Sequence, residues 1–127
     1  MSIEPKRQRQ ILLVEDEEAI AFPLQKILEK RMFSVEWKAT GQSGLEAFKK
    51  QPSIDIVLLD IMLPDSSGWD ILSSMNQFVK ETGEGKNVNF IVLSADSRAE
   101  KRAKEEAVTF LPKPIEIEEL VLKMGGA

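Results

Sequence analysis

The chain has 127 residues, enough for one domain with a single sizeable core. Hydrophobic residues make up 43% and charged residues 30%, with a net charge of −4, so the composition is that of a globular protein with no global pull towards nucleic acid. It contains no cysteine and no histidine, which excludes disulfides, thiol chemistry and the commonest general base. Any bound metal must therefore sit among oxygen ligands, which points to magnesium, calcium or manganese. Nucleophiles are limited to carboxylate, hydroxyl and lysine.

The first ten residues are polar, and Lys6, Arg7 and Arg9 form a basic cluster that reads as a solvated tail over residues 1–9. No apolar leader segment follows, and no run approaches the ~20 residues of a membrane span, so the expectation is a cytoplasmic protein without direct membrane or nucleic-acid binding. The first apolar run, Ile11-Leu12-Leu13-Val14, reads as a strand buried on both faces. Ile20, Leu24, Ile27 and Leu28 then recur at helical spacing, predicting a helix over 18–31. Pro23 falls inside it and predicts a late start or a kink, because an interior proline loses a hydrogen bond and clashes with the preceding turn. Residues 33–38 alternate Phe33, Val35 and Trp37 with Ser34, Glu36 and Lys38, the pattern of an edge strand with one wetter face.

A second helix is expected over 42–51, then the buried strand Ile56-Val57-Leu58-Leu59. Ile71, Leu72, Met75, Phe78 and Val79 mark a third helix over 67–80, followed by the strand Phe90-Ile91-Val92-Leu93. The fourth helix, 97–106, has only Ala99, Ala103 and Ala107 as its apolar stripe, so it should be loosely held. The weaker run Val108-Thr109-Phe110-Leu111 is the last strand. Ile117, Leu120, Val121 and Met124 then place a fifth helix over 115–124. Five strand–helix alternations predict an α/β fold, a parallel sheet covered on both faces, with right-handed crossovers.

Ligands of open parallel sheets bind beyond the carboxyl ends of the strands. Glu15 and Asp16 follow the first run, Asp60 the third strand and Ser94 the fourth, while Lys113 lies two residues past Leu111. Singly, each has an ordinary explanation: Glu15-Asp16 and Ser94 as helix caps, Asp60 as the start of a turn with Pro64, Asp65 and Gly68, and Lys113 as a solvated lysine. Jointly, three carboxylates suit a hard divalent cation, and a hydroxyl with an ammonium suits a phosphoryl group. Phosphoryl transfer needs mostly positioning and charge neutralisation, and a carboxylate can serve as its nucleophile.

The stretches ILLVEDE, IVLLDIMLPDSSGWDIL, FIVLSA and FLPKP closely resemble the receiver domains of two-component response regulators, from about Gln10 to the C-terminus. The resemblance implies a flavodoxin-like fold, a five-stranded parallel sheet in the order 2-1-3-4-5 with five helices. It makes residues 1–127 one receiver domain, a signalling phosphoacceptor rather than an enzyme acting on a separate substrate. By position, Asp60 would be the phosphorylation site. Glu15 and Asp16 would be the acidic pair, Asp16 binding Mg2+ directly and Glu15 mainly through water, with Mn2+ as a substitute. The Met62 backbone carbonyl would complete the metal ligands, and no other cofactor is implied. Ser94 would be the hydroxyl position, Lys113 the phosphate-binding lysine in a cis bond to Pro114, and Phe110 the switch aromatic. The partners implied are a histidine kinase or histidine phosphotransfer protein, and an output domain or downstream protein on the face formed by the fourth helix, fifth strand and fifth helix.

Departures from the family pattern are Pro112 before the lysine, Pro23, and the glycine-containing insertion Glu81-Thr82-Gly83-Glu84-Gly85. Met62 and Asp96 occupy the positions that tune phosphoryl hydrolysis in the family. A haloacid-dehalogenase-type phosphatase would need a second aspartate where Met62 stands. A flavin carrier would want a hydroxyl- and glycine-rich loop where Glu15-Asp16-Glu17-Glu18 stands. A degenerate, unphosphorylated receiver acting as an interaction module is the remaining alternative. After Gly125-Gly126-Ala127 the reading stays open between a single-domain regulator and the receiver of a longer protein.

Overall fold

The computed structural model describes residues 8–125. Along the chain run β1 (Gln10–Val14), α1 (Glu18–Lys30), β2 (Ser34–Lys38), α2 (Gly41–Lys50), β3 (Ile56–Asp60), α3 (Gly68–Thr82), β4 (Asn89–Ser94), α4 (Arg98–Glu105), β5 (Thr109–Pro112) and α5 (Ile117–Lys123). All five strands are parallel, in the order β2-β1-β3-β4-β5. The predicted fold and topology are those observed, with every helix boundary within two residues of its expected place.

Alternate residues of the three central strands feed two cores, as the pleat requires. Leu12, Val14, Val57, Leu59 and Val92 pack under α2, α3 and α4. Ile11, Leu13, Ile56, Leu58, Ile91 and Leu93 pack under α1 and α5. Both sets are almost wholly removed from water, which is why these strands read as unbroken apolar runs. The edge strand β2 is half-buried along most of its length, with Val35 and Trp37 turned to the α1–α5 core.

Pro112 is tolerated because β5 is the other edge. The Lys113 N–H points inward and donates to Ser94 O at 3.0 Å, so by strand alternation the Pro112 nitrogen faces the open side, where no ladder bond is lost.

Two local expectations are corrected and a third is narrowed. Of the late start or kink expected at Pro23, the late start does not occur: α1 begins at Glu18 and runs through Pro23. Pro23 and Ala19, whose carbonyl loses its helical donor, are both exposed, so water can take up that carbonyl. Ala107 is no part of the α4 stripe; it is exposed, past the helix, with φ 57°, and only Ala99 and Ala103 are buried. Arg9 is not a solvated tail residue. It donates to Met124 O at 2.8 Å and lies 5.0 Å over the Phe33 ring, tying the chain before β1 to the end of α5. Lys6 and Arg7, with the other residues of 1–7 and 126–127, lie outside the described residues.

Candidate functional site

The sheet holds its functional side chains on backbone that stays hydrogen-bonded beyond the strands. Glu15 N donates to Lys38 O at 3.0 Å, Ile61 N to Leu93 O at 3.2 Å and Lys113 N to Ser94 O at 3.0 Å. The Trp37 indole N–H donates to Glu15 O at 2.7 Å, so β2 grips both backbone groups of that residue. A site built on such backbone is preorganised.

The side chains of Glu15, Asp16 and Asp60 bring one carboxylate oxygen each to within 4.8 Å of one another. Glu15 is fully buried and Asp60 nearly so, while Asp16 is exposed. Lys113 Nζ lies 2.7 Å from Glu15 Oε1 and 3.3 Å from Asp60 Oδ2. The first contact is an ion pair by distance only, since Glu15 Oε1 has no donor aligned on it. Glu15 Oε2 accepts from Glu17 N at 3.1 Å, and Asp60 Oδ1 from Met62 N at 3.1 Å. Asp60, Met62, Ser94 and Lys113 line a cleft of about 460 Å3 together with Asp16, Glu17, Ala95 and Asp96. Ser94 Oγ accepts from Asp96 N at 3.0 Å, which leaves its hydroxyl proton available as a donor.

Burial pushes the Glu15 carboxyl up to about 7, and neighbouring Asp60 adds to this against the pull of Lys113. Burial lowers Lys113, but Glu15 and Asp60 outweigh it and hold the ammonium above the ordinary lysine value. Arg98 holds Asp96 below the usual carboxylate range through a paired contact at the entry to α4.

The donor set fits a divalent cation. Three carboxylates face one ammonium, an excess of two negative charges when all are ionised. One buried oxygen, Glu15 Oε1, lacks a hydrogen bond. All the ligand atoms are hard oxygens, as magnesium prefers.

The sequence-predicted set thus converges, apart from Phe110. That ring is half-buried beside Val92, packed against the α4-side core and away from the cleft. The predicted Lys113–Pro114 cis bond is present. Two contributors were not foreseen. Trp37 was read only as an apolar face residue, although its place at the carboxyl end of β2 is a signal. Gly68 was read only as a turn glycine; a Cβ there would lie 2.2 Å from Asp60 O and 2.7 Å from Ile61 Cα. Its N–H donates to Ile61 O at 2.7 Å, closing the loop that leaves Asp60.

A family profile described as "Response regulator receiver domain" matches residues 11–124. The chain belongs to the response regulator receiver family. Its role is accordingly in two-component signal transduction. It is 38% identical to the uncharacterized transcriptional regulatory protein YkoG of Bacillus subtilis over 120 residues, 92% of this chain and 50% of that one. The chain spans about half the length of the curated relatives it matches. Among solved structures, the receiver domain of the hybrid histidine kinase CckA superposes with a TM-score of 0.73 at 26% identity, covering 91% of this chain and 95% of that one. The receiver domain of Ssk1 from Saccharomyces cerevisiae, solved with the histidine phosphotransfer protein Ypd1, shares the fold with a TM-score of 0.83 at 22% identity. That match covers 92% of this chain and 86% of that one. No helix among the described residues is long and apolar enough to cross a membrane.

Proposed function

We propose that the receiver takes a phosphoryl group onto Asp60 from the phosphohistidine of a histidine kinase or phosphotransfer protein. The observation that carries this is Asp60 itself. It is nearly buried, opens on a cleft, lies 3.3 Å from the Lys113 ammonium and shares an acidic cluster with Glu15 and Asp16. An Asp60 carboxylate oxygen forms the new bond to phosphorus as the bond from phosphorus to the imidazole nitrogen breaks, and the electron pair leaves on the imidazole. Lys113 is placed to neutralise one phosphoryl oxygen and the Ser94 hydroxyl to donate to another.

Asp16 and Asp60, with Glu15 through water and the Met62 carbonyl, would hold Mg2+. When bound it supplies charge neutralisation on the phosphoryl oxygens. The Ypd1 complex is a precedent for a phosphotransfer partner on this fold, at an identity that carries the fold alone.

The switch reading follows from packing. Phosphate on Asp60 draws Ser94 towards it, the β4–α4 loop shifts, and Phe110 turns inward, altering the α4-β5-α5 face for an output domain or downstream protein. α4 buries only Ala99 and Ala103, so moving it disturbs little apolar contact.

Incubation with magnesium and acetyl phosphate tests the reading by intact mass. One added phosphoryl group, lost without magnesium and in Asp60→Asn, is expected. A folded protein that gains none under any of these conditions is instead an unphosphorylated interaction module.

A further inference from the structure

The first four N–H groups of a helix have no partner within it. At α2, counted from the cap residue Thr40, two of the four are served locally: Ser43 N donates to Thr40 Oγ1 at 3.1 Å and Thr40 N to Ser43 Oγ at 3.3 Å. The other two are served from another part of the chain. Gly41 N donates to Asp65 Oδ1 at 2.8 Å and Gln42 N to Asp65 Oδ2 at 2.9 Å. Gln42 and Gly41 together hold the Asp65 carboxyl below its usual range, as expected for a carboxylate at a helix start. The two segments are so close that a Cβ on Gly41 would lie 2.3 Å from Ser66 Oγ and 2.8 Å from Ile71 Cγ1.

Asp65 stands midway in the loop between β3 and α3, three residues after Met62. The loop's base is closed by Gly68 N on Ile61 O at 2.7 Å and by a Met62–Ser67 bridge. The Asp65 carboxylate adds an anchor across to α2, a helix otherwise remote from the cleft.

We infer that Asp65 is a positioning residue for metal binding, clamping the β3–α3 loop to the start of α2 so that Met62, whose backbone carbonyl is a ligand in the magnesium reading, keeps its place on the cleft beside Asp60. This rests on the magnesium reading above and goes beyond it, since Asp65 is no ligand. Partners that orient ligands in this way contribute about 10–100-fold to metal affinity.

The test is a Mg2+ titration of the full chain by calorimetry and by Trp37 fluorescence, that indole being bonded to the Glu15 carbonyl. The variants are Asp65→Ala, Asp65→Asn and, as a stability control, Thr40→Ala, which weakens the same helix start without touching the loop. The expected result is an apparent dissociation constant raised about tenfold in Asp65→Ala. Asp65→Asn, which retains one acceptor oxygen, should lie between it and the wild type, and Thr40→Ala should bind as the wild type does despite a lower melting temperature. Equal affinity of wild type and Asp65→Ala would overturn the positioning role. So would a loss in Thr40→Ala as large as that in Asp65→Ala. A wild type that binds no Mg2+ would instead overturn the magnesium reading on which it rests.

Discussion

Lys113 stands closer to Glu15 than to Asp60, 2.7 Å against 3.3 Å. The ammonium is the counter-ion of a fully buried glutamate, besides the phosphoryl-binding duty proposed for it above. Removing one partner of a buried pair leaves an uncompensated charge, which costs about 3–5 kcal/mol. With Lys113 only 13% exposed and Glu15 at 0%, we expect Lys113→Met to lose about 3 kcal/mol of stability at pH 7.5. Urea unfolding in EDTA measures it, and wild-type stability in the variant would show the contact to be energetically idle.

A pH dependence follows from the same carboxyl. Its ordinary value of 4.5 is raised to about 7 by burial first and by Asp60 next. The folded chain therefore binds this proton more tightly than the unfolded chain. As pH rises from 4.5 through about 7, the carboxyl must ionise where ionisation is disfavoured, and stability falls. Against Glu15→Gln, which does not titrate, wild-type stability in EDTA should decline across this window by on the order of 2 kcal/mol. Lys113 stays charged throughout, so it does not blur the comparison. A flat difference curve would refute the raised carboxyl.

Much of this site was legible because parallel strands bring their carboxyl ends to one edge, so residues 34 or more apart in sequence could be read as neighbours after Val14, Leu59 and Leu93. What was illegible depends on contacts that periodicity does not encode. Arg9 looked solvated because its partners, Phe33 and the Met124 carbonyl, come from the far side of the fold. Ala107 kept helical spacing with Ala103, but the helix ends at Glu105 and Ala107 itself turns the chain away with φ 57°. Asp65 looked like a turn residue after Pro64; the N–H groups it serves lie 23 and 24 residues earlier.

Met62 is 78% exposed, an unusual setting for a large apolar side chain, and it lines the cleft that holds Asp60. On the proposed phosphorylation of Asp60, such a side chain would hinder the approach of water to the aspartyl phosphate without offering it a hydrogen bond. Met62→Asn should shorten the lifetime of the phosphoryl group severalfold, followed as loss of phosphorylated mass after acetyl phosphate is removed. An unchanged decay rate would take Met62 out of the account of hydrolysis. The backbone carbonyl is unaltered by this substitution, so magnesium affinity should hold.

Arg102 and Trp69 bind α4 to α3 more specifically than the alanines do. The Arg102 guanidinium carbon lies 4.7 Å from the centre of the Trp69 ring, a cation–π distance, and Trp69 is itself 9% exposed. The rest of the α4 contact is Ala99 and Ala103, which bury little area. At an exposed rim such a contact contributes about 0.5–1 kcal/mol. If α4 opens locally, Arg102→Ala should speed amide exchange of Ala103 and its helical neighbours by about two- to fivefold, while α3 and the central strands keep their protection. Trp69 fluorescence should shift in the same variant, because the ring loses its charged neighbour. Uniformly faster exchange would mean global destabilisation instead. If the latch also biases the switch, Arg102→Ala should raise phosphorylation by acetyl phosphate, since an α4 that is easier to move lowers the cost of the phosphorylated arrangement.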